Sequence, residues 1–154
     1  MFLRATGTNW TASSEPLFDM PSEYSIIHRV QFSETDMAGV VHFSNFFRWM
    51  EEVEHAFFRS LGLSVTMTSD AVEIGWPRIS TSCEYLGPAR FEDDVTLLMR
   101  ITRIGEKSLN YDVDFLVSGQ PIARGKMTSV CCSLSAGGFQ SIAIPPAIRQ
   151  KLQG

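Results

Sequence analysis

Apolar residues recur along this chain with two periods in succession, first helical and then strand-like. Phe46, Met50, Val53, Phe57 and Leu61 follow at spacings of four, three, four and four, which draws one apolar stripe on a helix of about 17 residues. Phe47 and Phe58 widen the stripe, while Arg48, Glu52 and Arg59 fall elsewhere. Ser44 stands as the N-cap. Leu61-Gly62-Leu63 ends the helix, because Gly takes the left-handed conformation past a helix end and Leu63 then packs back. Upstream, residues 26–32 form an apolar, β-branched run that reads as a strand, closed by Asp36 and followed by a loop to Phe43 in which Gly39 gives backbone freedom.

Downstream, residues 64–76 make a Ser/Thr-containing connector without regular period, read as a loop carrying one turn and ending in Gly75-Trp76-Pro77. Four strand-like runs then follow, over residues 78–85, 95–104, 108–117 and 121–134, separated by Gly-containing turns. In the third of these, Leu109, Tyr111, Val113, Phe115 and Val117 alternate with Asn110, Asp112 and Asp114, so one face is packed and the other wetter. Residues 144–152 read as a short helix begun at a proline. Residues 1–22, rich in Ser, Thr, Gly and Pro, read as a poorly ordered tail, and residues 23–154 as one domain. One long apolar helix with five antiparallel strands predicts an α+β fold in which the sheet curls round the helix.

Composition narrows the function classes. The 154 residues suit one domain with a substantial core. A net charge of −4 argues against a general nucleic-acid or anionic-membrane surface, which would need clustered Lys and Arg. The three cysteines, two of them adjacent, fit neither a disulfide framework nor a spaced metal site, and no run is apolar enough to span a bilayer. The expectation is a metal-free cytoplasmic protein.

The candidate chemistry centres on Asp36, a carboxylate beside a helix start whose free N–H groups can polarise a carbonyl or hold an oxyanion. Taken alone, Asp36 reads first as a turn residue bonding nearby amides. Around it, Glu34-Thr-Asp-Met-Ala-Gly-Val-Val-His-Phe-Ser-Asn-Phe46 followed by Trp49-Met-Glu-Glu52, together with Tyr85-Leu-Gly-Pro-Ala-Arg-Phe-Glu-Asp93, resembles the hotdog-fold thioesterases of the 4-hydroxybenzoyl-CoA thioesterase and small acyl-CoA thioesterase type. The resemblance covers about residues 24–135 and implies a hotdog fold, a five-stranded antiparallel sheet wrapped round one long helix. It also implies hydrolysis of an acyl- or aryl-CoA thioester, with Asp36 as nucleophile or general base, by a homodimer or homotetramer. No cofactor is implied, coenzyme A being part of the substrate.

Of the other candidates, Glu34 lies two residues before Asp36, where a like charge would raise a pKa. Glu51 on the helix matches a place where the family often has an acid, and equally fits an exposed face. His42 offers a proton donor or a packing ring, but some of the family's acyl-CoA members carry a His one position later, where this chain has Phe43. His28 and His55 receive no role. Arg90, Arg124 and Lys126 are cations for the phosphates of coenzyme A. Phe43, Phe47, Trp76 and Phe91 are candidates to line an acyl or aryl pocket, with Trp76 the least core-like of them. Two alternatives stay open: an acyl-carrier-protein thioesterase, which needs a basic docking surface, and a non-catalytic binder of CoA esters or lipids.

Overall fold

The computed structural model describes residues 23–135 and 137–154, so the segment read as a tail lies outside the described residues. Strand β1 (Glu23–Arg29) is followed by a one-turn 3₁₀ helix (Phe32–Glu34) and then by helix α1 (Asn45–Ser60). Two short strands come next, β2 (Thr66–Ser69) and β3 (Val72–Gly75), and then the long ones, β4 (Arg78–Tyr85), β5 (Asp94–Ile104), β6 (Ser108–Val117) and β7 (Gln120–Val130). The chain ends with β8 (Cys132–Ser135), β9 (Gly138–Ser141) and helix α2 (Pro146–Gln153).

The main sheet is antiparallel in the order β1-β5-β6-β7-β4, and α1 packs against strands of that sheet. This is the expected hotdog arrangement. The predicted stripe is the buried face of the helix: Phe46, Met50, Val53 and Phe57 are each at most 3% exposed and meet Leu97, Met99, Val113 and Phe115 of the sheet in one core. Trp49 completes that face. Helix and sheet meet tightly at Gly125 of β7, where a Cβ would collide with Met50 Sδ. The helix ends in a Schellman motif: Gly62, at φ +66°, donates to Arg59 O at 3.0 Å, and Leu63 donates to Phe58 O at 2.9 Å.

Three local readings are corrected. Residues 64–76 are not a loop but mostly a hairpin, β2–β3, turned by Asp70 and Ala71, which both hold positive φ without a glycine. The run 121–134 is two strands broken at Cys131; β7 stays in the main sheet, and β8 joins a second sheet of order β2-β3-β8-β9. The first strand ends at Arg29, and the chain then turns through the 3₁₀ helix rather than running extended to Asp36.

Candidate active site

Asp36 sits in a tight turn between the 3₁₀ helix and α1. Its backbone N–H donates to Val40 O at 2.9 Å and its carbonyl accepts from Gly39 N–H at 2.9 Å, while Oδ1 accepts from Ala38 N–H at 2.8 Å. Gly39, at φ +72°, makes that turn possible. The side chain is exposed and lines a depression of about 230 Å³ with Val41, Phe43, Phe46, Tyr85 and the 87–89 segment. Carboxylate and helix start are therefore adjacent, as the sequence predicts.

The helix start differs from expectation in one respect. Ser44 is in helical conformation and caps nothing; its hydroxyl instead pairs with His42 Nδ1 at 2.8 Å. The Asn45 and Phe46 amides are bonded to His42 O and Phe43 O, at 3.0 and 3.3 Å. Among the described residues the Phe43 amide has no intramolecular acceptor, and it is one donor left open on the depression beside Asp36; the Val40 amide is another. His42 is exposed, its ring stacked on Phe43 at 4.4 Å. Phe43, 59% exposed, lines the depression.

Glu34 is corrected most. It does not face Asp36 as a like charge: its carboxylate accepts from Trp49 Nε1 at 2.8 Å, from Gln31 N–H at 2.7 Å, and pairs with His28 Nε2 at 2.9 Å. Burial alone would raise its pKa, but the hydrogen bonds from His28, Gln31 and Trp49 outweigh burial and hold it below the ordinary carboxylate range. The Glu34 carbonyl accepts from Asn45 Nδ2 and His42 N–H, both at 2.8 Å. One residue thus ties β1, the Asp36 loop and α1 together. His28, assigned no role from sequence, is the hub of this anchor, with Nδ1 on Glu52 at 2.9 Å and its ring 4.7 Å from Trp49. Trp49 lies three residues after Phe46 on the buried stripe, a spacing that points it inward but does not pair it with Glu34.

The remaining candidates divide between places. The Arg90 guanidinium lies over the Asp36 turn, 3.5 Å from Gly39 O, and Phe91 is half exposed, edge-on to Phe32 at 5.8 Å. Phe47 and Glu51 line a groove farther along α1 with Arg78 and Thr81; Glu51 accepts from Arg78 Nη1 at 3.2 Å. Trp76 is core rather than loop surface, 6% exposed and 5.7 Å from the Phe58 ring. Arg124 and Lys126 alternate with Ala123, Gly125 and Met127, which are buried toward α1, so they project from the opposite face of the sheet. There they line a charged depression with Asp112 and Asp114, and Arg124 lies 3.8 Å from Asp114. The structure does not bring these two cations to Asp36. Among the described residues no cluster of His, Cys, Asp and Glu could hold a metal ion, and no helix is long and apolar enough to cross a membrane.

Known proteins share both sequence and fold with this chain. It is 26% identical over 142 residues to a 1,4-dihydroxy-2-naphthoyl-CoA hydrolase of Synechococcus sp. (strain WH7803), a span of 88% of this chain and 92% of the relative. Its fold matches Slr0204, a 1,4-dihydroxy-2-naphthoyl-CoA thioesterase from Synechocystis, with a TM-score of 0.76 at 22% identity, over 85% of this chain and 96% of that one. It matches the gentisyl-coenzyme A thioesterase BH1999 with a TM-score of 0.69 at 26% identity, over 84% and 99%. The model of the thioesterase-like superfamily matches residues 30–152, and with the hotdog sheet and the Asp36 turn already in place, the chain belongs to that superfamily.

Proposed function

We propose that this protein hydrolyses an acyl- or aryl-CoA thioester to the free acid and coenzyme A, with Asp36 as the acting carboxylate. The observation that carries this reading is the exposed Asp36 side chain in a depression that also holds the start of α1 and Phe43, whose amide lacks an acceptor among the described residues. A thioester carbonyl seated there accepts from the Phe43 N–H, which stabilises the oxyanion as the carbonyl carbon is attacked. Asp36 either attacks that carbon itself, giving a mixed anhydride that water then cleaves, or takes a proton from an attacking water. In both cases the C–S bond breaks and coenzyme A leaves as the thiol. Single turnover in heavy-oxygen water tests the first route: label on Asp36 arises only from an anhydride cleaved at the Asp36 carboxyl carbon, and trapping of an acylated Asp36 covers an anhydride cleaved at the acyl carbon.

Arg90, poised over the Asp36 turn, is the nearest of the three candidate cations and is assigned the phosphates of coenzyme A. Glu34, with His28, Trp49 and Asn45, positions the Asp36 loop without touching substrate. The working form is a dimer or larger. In support, β4 is an edge strand of the main sheet with Ile79 and Tyr85 exposed, and an unpaired edge invites a second strand.

The test is Asp36→Asn, assayed with a panel of CoA thioesters by thiol release. Since Asn neither attacks nor takes a proton, the variant stays folded and loses roughly a hundredfold or more in kcat/KM. Parental activity in that variant would reduce Asp36 to a turn residue. Sedimentation of the active protein tests assembly, and a fully active monomer would overturn it.

A further inference from the structure

Tyr85, the last residue of β4, lines the Asp36 depression together with Phe43 and Phe46. Its ring packs edge-on against Phe46 with centroids 5.2 Å apart, and Phe46, 3% exposed, packs in turn on Phe115 of β6. The hydroxyl reaches out from this support and donates to Phe43 O at 3.2 Å, which joins β4 to the loop before α1. Burial, and after it the adjacent Cys83 thiol, push the phenol up to about 12, so it keeps its proton and goes on donating through mildly alkaline pH.

Phe43 carries one of the two amides left open on the depression, and the backbone is tied on both sides of that amide. Upstream, the His42 N–H donates to Glu34 O at 2.8 Å. The His42 carbonyl accepts from the Asn45 N–H at 3.0 Å, and because a trans peptide sets its C=O and N–H in opposite directions, this bond turns the Phe43 N–H away from Asn45. Downstream, Phe43 O accepts from the Phe46 N–H at 3.3 Å and from the Tyr85 hydroxyl. The first three ties stay within residues 34–46, and the Tyr85 bond is the one that reaches Phe43 from the main sheet. A donor held in place beforehand stabilises a developing oxyanion without having to reorient during the reaction. Tyr85 is 44% exposed and adds little to the core, so the effect of its hydroxyl on activity can be read apart from folding.

We propose that Tyr85 is a positioning residue for the oxyanion: by holding the Phe43 carbonyl, its hydroxyl keeps the Phe43 N–H set beside Asp36, and it does not touch the substrate itself. The inference rests on the hydrolysis proposed above and deepens it, since it makes the edge strand β4 part of the machinery. It also separates the two open amides, because Tyr85 holds Phe43 and not Val40.

The experiment is Tyr85→Phe in the full chain, which keeps the ring on Phe46 and removes the hydroxyl alone. On the CoA thioester hydrolysed fastest in the panel, kcat is expected to fall about two- to tenfold, the worth of one hydrogen bond, with KM, sedimentation and thermal melting like the parent's. Two inhibitors read the same effect without turnover. Trifluoroacetonyl-CoA, whose activated carbonyl hydrates to mimic the tetrahedral intermediate, should bind the variant more weakly by that factor. Acetonyl-CoA, whose carbonyl stays trigonal, should bind variant and parent alike. A tyrosine that only stiffens β4 would leave the ratio of the two affinities at its parental value. Parental kcat in Tyr85→Phe overturns the proposal and leaves the hydroxyl without a part in the reaction. An equal loss for both inhibitors, or a raised KM, overturns it as well, by making Tyr85 a direct contact to bound substrate. Asp36→Asn tells the two readings apart: an impaired Asp36→Asn beside a parental Tyr85→Phe rejects Tyr85 alone, whereas parental activity in Asp36→Asn rejects the site on which the inference rests.

Discussion

Glu34 is bonded to α1 and Glu54 lies on it, and they are opposites. The Glu34 carboxylate accepts from an indole, a backbone amide and an imidazole, and its pKa is lowered despite partial burial. Glu54 is more deeply buried, is paired with Arg78 and faces the Tyr111 and Ser129 hydroxyls, and its pKa is raised, burial being the largest cause. Depth of burial decides the difference: it raises both carboxyls, but at Glu54 it outweighs the Arg78 charge and the Tyr111 and Ser129 hydroxyls, whereas at the part-buried Glu34 three hydrogen bonds outweigh it. A part-buried carboxylate with three donors ties loops together as an anion, whereas a fully buried one is held toward its neutral form even beside a cation.

The contrast can be broken most forcefully at Glu34. Truncation to Ala strands the buried Trp49 indole while water takes over at the exposed Gln31 amide, and at roughly 1–3 kcal/mol for an unsatisfied buried donor the expected loss is about 2 kcal/mol. Denaturant midpoints measure it, and activity should fall with it because the Asp36 loop loses its tie to α1. A smaller effect, but a sharper one, is the sign of the pH dependence. Glu34, with its folded pKa below the unfolded value, contributes stability that is present above about pH 4.5 and lost as pH falls through the folded pKa. Glu54, with its folded pKa above the unfolded value, makes the protein less stable as pH rises from about 4.5 toward that folded pKa. Chemical denaturation across that range should show Glu34→Gln with a flatter acid limb and Glu54→Gln with the opposite change. Slopes altered in the same direction would erase the contrast. Smallest is Trp49→Phe, which keeps the ring against His28 but removes one donor to Glu34, at a cost of about 1 kcal/mol in thermal or denaturant melts.

What could be read from the chain follows the range of the forces involved. The α1 stripe, the alternation in β6 and the Gly62 stop are local patterns, and the fold places each where the sequence does. The β2–β3 hairpin was hidden because its turn is made by Asp70 and Ala71 at positive φ, where a glycine would have announced it. The break at Cys131 leaves no local mark, since β8 departs to pair with β3, a strand distant in sequence. Asp36 and the helix start were legible through a motif confined to a few neighbouring residues. The Glu34 anchor was not, because His28 and Trp49 reach it from separate elements. Glu54 is a different case. It lies four residues after Met50 and four before Phe58, squarely on the apolar stripe, so its burial was signalled by spacing and masked by its charge.

The contact between Met50 and Gly125 has a consequence for how this chain can diverge. With no room for a Cβ beneath the thioether, the constraint runs one way: a side chain gained at position 125 on β7 requires Met50 to shift or shorten, whereas position 50 can shorten alone at the cost of a cavity. The order of change is therefore set, position 50 first. A library randomised at both positions and sorted for folded protein should recover Gly125 with long residues at position 50, and the Gly125→Ala change only beside short ones.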